Sequence, residues 1–94
     1  MTITAERKAR ETKRQESIDW GDKMALSSPA DEISIATWTG SDGLVISDPS
    51  VAGNVTTVWI DSGRLGAYCN LHCHIECAST AEYDETIIIE ITPT

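Results

Sequence analysis

Between Tyr68 and Cys77 the chain alternates without a break. Cys69, Leu71, Cys73, Ile75 and Cys77 fall on one side of an extended backbone, and Asn70, His72, His74 and Glu76 on the other. A period of two sustained this long describes a strand with one dry face and one wet face, not an amphipathic helix. The pattern recurs along the chain. Ile33, Ile35 and Thr37 alternate with Ser34, Ala36 and Trp38; Val55, Thr57 and Trp59 with Thr56, Val58 and Ile60; Ile87, Ile89 and Ile91 with Thr86, Ile88 and Glu90. Leu44 to Ile46 forms a further short strand, closed by Asp48-Pro49-Ser50. Turn residues separate these runs at Gly40-Ser41-Asp42-Gly43, Gly53-Asn54 and Asp61-Ser62-Gly63 to Gly66, while Ala78 to Asp84 reads as a loop. Short strands at such spacing predict an all-β chain, a small antiparallel sandwich over residues 31–94. With 94 residues and no Phe, the core must come from Trp38, Trp59, Tyr68, Leu71, Cys73, Ile75, Ile87 and Ile89. A domain of this size buries only ~60–65% of its unfolded surface, and assembly often completes such a core.

The N-terminal third reads differently. Residues 1–16 hold five basic and three acidic side chains, a net +2, whereas residues 17–94 carry −10, giving −8 overall. Residues 1–17 are rich in helix formers but lack an apolar stripe, so they are expected to form a polar arm, helical or extended. Such an arm either frays or orders on a neighbouring subunit, with Arg7, Lys8, Arg10, Lys13 and Arg14 facing an acidic partner surface and Trp20 locking the arm to its own body. Residues 18–30 read as an anchoring segment and linker, with Ile18, Trp20, Met24 and Leu26 supplying apolar weight ahead of Pro29. The acidic body disfavours nucleic acid as a ligand. No run reaches the ~18–20 apolar residues of a membrane helix, and the charged N-terminus is unlike a secretory signal, so a cytosol-like compartment is expected.

Chemistry-bearing residues are few. Cys69, Cys73 and Cys77 with His72 and His74 invite a metal reading, yet thiols four residues apart on a strand are ~13 Å apart, and the imidazoles take the opposite face. A metal, a cofactor and catalytic residues are therefore not expected, and no nucleophile elbow, phosphate loop or His-Glu-x-x-His motif occurs. The thiols read as small buried hydrophobes. Because three is an odd number, one of them, Cys77 at the strand end, could bridge to a neighbouring subunit. Exposed His72 and His74 could meet a partner's carboxylate or an intersubunit metal.

The order of short signals carries a resemblance. Ile18-Asp19-Trp20, Asp31-x-Ile33 leading to Trp38, Gly43-Leu44, Thr57-x-Trp59-Ile60, Gly63-x-x-Gly66-x-Tyr68, Ile75 and Ile87-x-Ile89 resemble a family of roughly hundred-residue virion proteins of tailed phages, the fibre-tail adaptor or minor structural proteins. The resemblance spans about residues 18–91. It implies an Ig-like β-sandwich repeated at the neck, tail or capsid surface, without enzymatic activity. Ala81-Glu82-Tyr83-Asp84 replaces a Gly-Arg-Thr turn of that family, and the basic arm and triple-cysteine strand are outside its pattern.

These readings combine into one expectation: a structural virion protein made in the host bacterial cytoplasm, forming a homo-oligomeric ring or array near the neck or fibre attachment. Its partners are neighbouring copies, the portal or connector, a tail fibre or the capsid protein, with neither nucleic acid nor membrane. A capsid decoration protein is the alternative, and a small Cys/His metal- or redox-responsive module is a second.

Overall fold

The structure, a computed structural model, describes residues 2–9, 12–21 and 31–93. Seven strands run in order: β1 (Thr2–Ala9), β2 (Arg14–Asp19), β3 (Ile33–Gly40), β4 (Leu44–Ala52), β5 (Val55–Ser62), β6 (Tyr68–Cys77) and β7 (Glu82–Thr92). They form a four-stranded sheet, β1-β7-β6-β3, and a three-stranded sheet, β2-β5-β4. All pairings are antiparallel except β1 on β7, which is parallel. The orders β2-β5-β4 and β7-β6-β3 reproduce the two sheets of an immunoglobulin sandwich, B-E-D and G-F-C. The first strand departs from the constant-type arrangement by lying beside the last strand instead of beside the second. The fold is thus the expected small, Ig-like all-β sandwich, elongated to 43 × 22 × 15 Å.

Alternation decides which side chains fill it. On β6, Cys69, Leu71, Cys73 and Ile75 are fully buried and Cys77 nearly so, as the ten-residue pattern requires. Ile87, Ile89 and Ile91 of β7 meet them in the same layer, and Thr56, Val58 and Ile60 of β5 close over them from the other sheet. β7 begins at Glu82, inside the stretch expected to be a loop, because Glu82, Tyr83 and Asp84 continue the pairing with β6.

Two expected core residues lie elsewhere. Trp59 belongs to the outer parity of β5 and is half-buried, since Val58 and Ile60 already take the inner positions. Tyr68 is 64% exposed and donates its hydroxyl to Glu90 Oε2 at 3.2 Å. A register shift between Ile33 and Ile35 also separates two residues expected to share a face: Ile33 packs against the core, and Ile35 is left exposed.

The sandwich begins well ahead of residue 31. The stretch expected to be an arm supplies β1, paired along its whole length with β7, and most of β2, paired with β5. Glu16, Ile18 and Trp20 alternate inward there, a period of two that a search for a helical stripe passes over. Trp20 is completely buried and donates its indole N–H to Thr56 Oγ1 at 2.8 Å, the satisfied burial a large aromatic with a polar handle needs. Residues 22–30 of the anchoring segment and linker expected over 18–30 lie outside the described residues. One glycine is compulsory on steric grounds: Gly63 has φ of 104°, and a Cβ there would come within 2.6 Å of Ile91 Cδ1.

Candidate functional site

The expected contact residues divide between interior and surface. Lys8 points inward from β1, is 2% exposed, and donates from Nζ to the Ser62 carbonyl at 2.8 Å. Burial lowers its pKa, and Asp61 works in the opposite direction. Arg14 meets the buried Glu16 at 2.9 Å, and Trp20 is core. Lys8 and Arg14, expected to face a partner, are engaged within the chain, and Trp20 is packed into the chain's own body. They close the flank of the sandwich where β1 and β2 are the outermost strands. Lys13 is exposed, with its ammonium 5.8 Å from the Trp59 ring centroid, a cation–π contact that shelters the outward-facing indole. Arg10 and the side chain of Arg7 lie outside the described residues.

The thiols are buried, free and far from reactive. Burial raises the pKa of all three, that of Cys73 to about 11, with Thr56 Oγ1 3.8 Å from its sulfur. Reactive cysteines have lowered values and open surroundings. Cys77, expected at an accessible strand end, is 5% exposed. A bridge from it to another chain would require the strand end to open.

The histidines are the polar centre of the outer face of β6 and β7. Asp84 Oδ1 receives both His72 Nε2, at 2.9 Å, and His74 Nδ1, at 2.8 Å. His74 Nε2 reaches Glu82 Oε1 at 2.9 Å, and His72 Nδ1 lies 2.9 Å from Thr86 Oγ1. His74 therefore has a carboxylate oxygen at each ring nitrogen. Only an imidazolium has two N–H groups to donate to both, and its pKa is raised, first by the hydrogen bond to Asp84. The Asp84 pKa is lowered, first by His74. Asp84, His72 and Thr86 have the connectivity of a carboxylate–imidazole–hydroxyl relay, but Thr86 is the register partner of His72 on an adjacent strand of a sheet face. This is cross-strand pairing of polar residues. The thiols and imidazoles sit on opposite sides of β6, and among the described residues no group of three or more His, Cys, Asp or Glu is placed to hold a metal.

The four outermost strands are unequal. A free sheet edge invites pairing with another chain, and charges, prolines and bulges discourage it. By sequence β1 carries Glu6, Arg7 and Lys8, and β2 carries Arg14, Glu16 and Asp19. β4 contains Asp48 and Pro49 at a register shift between Ser47 and Ser50. β3, Ile-Ser-Ile-Ala-Thr-Trp-Thr-Gly, has no charge, no proline and several β-branched residues. Its outward residues Ile35, Thr37 and Thr39 are exposed, and among the described residues only β6 pairs with it. Beside it, between β3 and β4, a cleft of about 230 Å³ is lined by Ala36, Trp38, Ile46, Ser47, Pro49 and Val58. Trp38 is 8% exposed, and its buried indole N–H has no hydrogen-bond partner among the described residues. From residue 31 to residue 63 the chain has five carboxylates (Asp31, Glu32, Asp42, Asp48, Asp61) and no Lys, Arg or His.

Sequence reasoning missed this flank. Its signals, a strand without charge and a long stretch without a base, are both present in the amino-acid order. What the order lacks is the knowledge that β3 ends its sheet.

An uncharged edge beside an apolar cleft is the kind of surface that another protein covers. Comparison with known proteins agrees in kind. No individual curated protein matches the chain significantly. A family model described as podophage GP4 fiber-tail adaptor protein gp77 matches residues 8–90, from the end of β1 to near the end of β7. The chain belongs to this family of podophage fibre-tail adaptors, structural proteins of the phage tail region.

Proposed function

We propose that this chain is the joint by which a tail fibre is held to the body of a podophage tail, acting as a rigid spacer between two other virion proteins. The family match over residues 8–90 carries the reading. The shape supports it, since a sandwich 43 Å long with loops at both ends offers separate surfaces to two partners. So does its chemistry: the thiols are buried in the core and the imidazoles engaged in cross-strand hydrogen bonds. An adaptor transmits load through packing and backbone pairing and needs no reactive group.

The test is a phage in which this gene is silenced. Its particles are expected to assemble tails that lack fibres, and purified chain added back should restore them. Fibres retained on such particles would contradict the reading. Counting copies per particle separates it from a decoration role: a small number confined to the tail fits an adaptor, and hundreds over the capsid fit a decoration protein.

A further inference from the structure

We propose that the free edge of β3, with the apolar cleft beside it, receives an extended, basic segment of another virion protein as a fifth strand of the β1-β7-β6-β3 sheet. The inference rests on the adaptor reading and names the surface through which one of the two partners is held.

Three separate observations specify the occupant. The first is backbone chemistry. β3 pairs with β6 on one side, so alternate N–H and C=O groups along its other side point away from the sheet. A neighbour that satisfies a row of groups repeating along a strand must itself be extended, because a helix has already used its backbone groups. β3 is also the one edge among the four that lacks charge, proline and bulge-plus-proline protection at its centre, the pattern that aggregates unless something covers it.

The second is the cleft. A strand laid along β3 continues the four-stranded sheet past its present limit and overhangs the gap in front of β4. Side chains alternate across a strand, so every second residue of the added segment faces that gap. The lining of Ala36, Trp38, Ile46, Pro49 and Val58 selects an apolar side chain there. The register shift at Ser47 to Ser50 turns the middle of β4 away from regular pairing, which discourages a competing strand on the other sheet.

The third is charge. The segment approaches β3 at an end that carries Asp31 and Glu32, on a chain whose net charge is −8. At the other end of β3, Asp42 is already paired with Arg64 at 3.3 Å, so the attraction is strongest at the Asp31–Glu32 end. A second copy of this acidic body brings like charge to the contact, whereas a segment with Lys or Arg at its ends is attracted. The occupant is therefore an extended partner segment with apolar residues at alternate positions and basic residues flanking them.

Amide hydrogen exchange tests this directly, measured on the full chain free in solution and on the same chain within purified tails. In the free chain, alternate amides of residues 33–40 should exchange quickly. In the tail they should slow by about tenfold or more. Slow exchange already present in the free chain means that the edge is covered without a partner and overturns the proposal. Unchanged fast exchange in the tail overturns it too, and leaves the adaptor reading intact because the chain is still found in the tail. Absence of the chain from tails contradicts the adaptor reading itself.

Variants give an independent readout. The pair Ile35→Lys and Thr37→Lys puts charge on exposed positions of β3, and Ala36→Leu fills the cleft. Each should reduce fibre attachment by at least about tenfold in add-back assays, a binding loss of about 1.4 kcal/mol. Gln15→Lys, an exposed change on β2, should leave attachment unaltered. Equal attachment by all three substituted proteins, with folding verified for each, contradicts the proposal.

Discussion

The two flanks of this sandwich are finished to different degrees. On the β1/β2 flank the chain closes itself. Lys8 is buried against the Ser62 carbonyl, Arg14 meets Glu16, and Trp20 fills the interior with its N–H satisfied by Thr56. On the β3/β4 flank an uncharged edge stands beside an apolar cleft, and a buried indole N–H has no acceptor among the described residues. Lys8 and Arg14, which composition offered as part of a reaching arm, are engaged in sealing the first flank. The flank proposed to receive a partner is the other one, where Asp31 and Glu32 precede an uncharged strand. Net charge by segment therefore misleads when the charged side chains fold inward.

The comparison breaks hardest at Trp20. Trp20→Ala removes the largest buried side chain of the sealed flank and its hydrogen bond, and should cost about 3–5 kcal/mol in urea denaturation. Lys8→Ala leaves the Ser62 carbonyl without this donor, and a loss of about 1–3 kcal/mol is expected by the same assay. By contrast, Ile35→Lys with Thr37→Lys on the open flank should change the stability of the free chain by no more than about 0.5 kcal/mol per site, since both side chains are exposed. If the lysine pair destabilises the free chain as much as Trp20→Ala, the two flanks are not different in kind.

The smallest expected effect is on pH. His74 has a folded pKa above its ordinary 6.5, so its contribution to stability is complete below that value and is lost as pH rises through the folded pKa. Asp84 has a folded pKa below its ordinary 3.8, so its contribution is present above 3.8 and is lost as pH falls through the folded value. The melting temperature of the wild type relative to Asp84→Asn should thus be highest between about pH 4 and 6.5 and converge on either side. A difference that stays the same below and above that range would mean that the His–carboxylate ladder does not titrate with folding.

Much of the architecture was legible in residue order. β6 and β7 announce their inner faces because apolar and polar residues alternate cleanly, from Cys69 to Cys77 and through Ile87, Ile89 and Ile91. β5 was ambiguous for a physical reason. Val55 and Trp59 on one parity compete with Val58 and Ile60 on the other, and register with two flanking strands settles the matter, placing Trp59 outside. β1 and β2 were hidden because their extended form comes from pairing with β7 and β5 and not from local preference, as is common where tertiary context overrides propensity. The histidine ladder required knowing that His74 and Asp84 are register partners. The open flank required knowing that, among the described residues, β3 has a single neighbour.

The central claim, that the β3 flank is completed by another protein, is tested most directly by a density map of the intact tail at a resolution that separates strands. The account predicts a fifth strand hydrogen-bonded along residues 33–40, with a side chain from it seated between Trp38 and Ile46. A map in which β3 faces solvent, and the neighbouring proteins grip the β1/β2 flank or the histidine face instead, would contradict it.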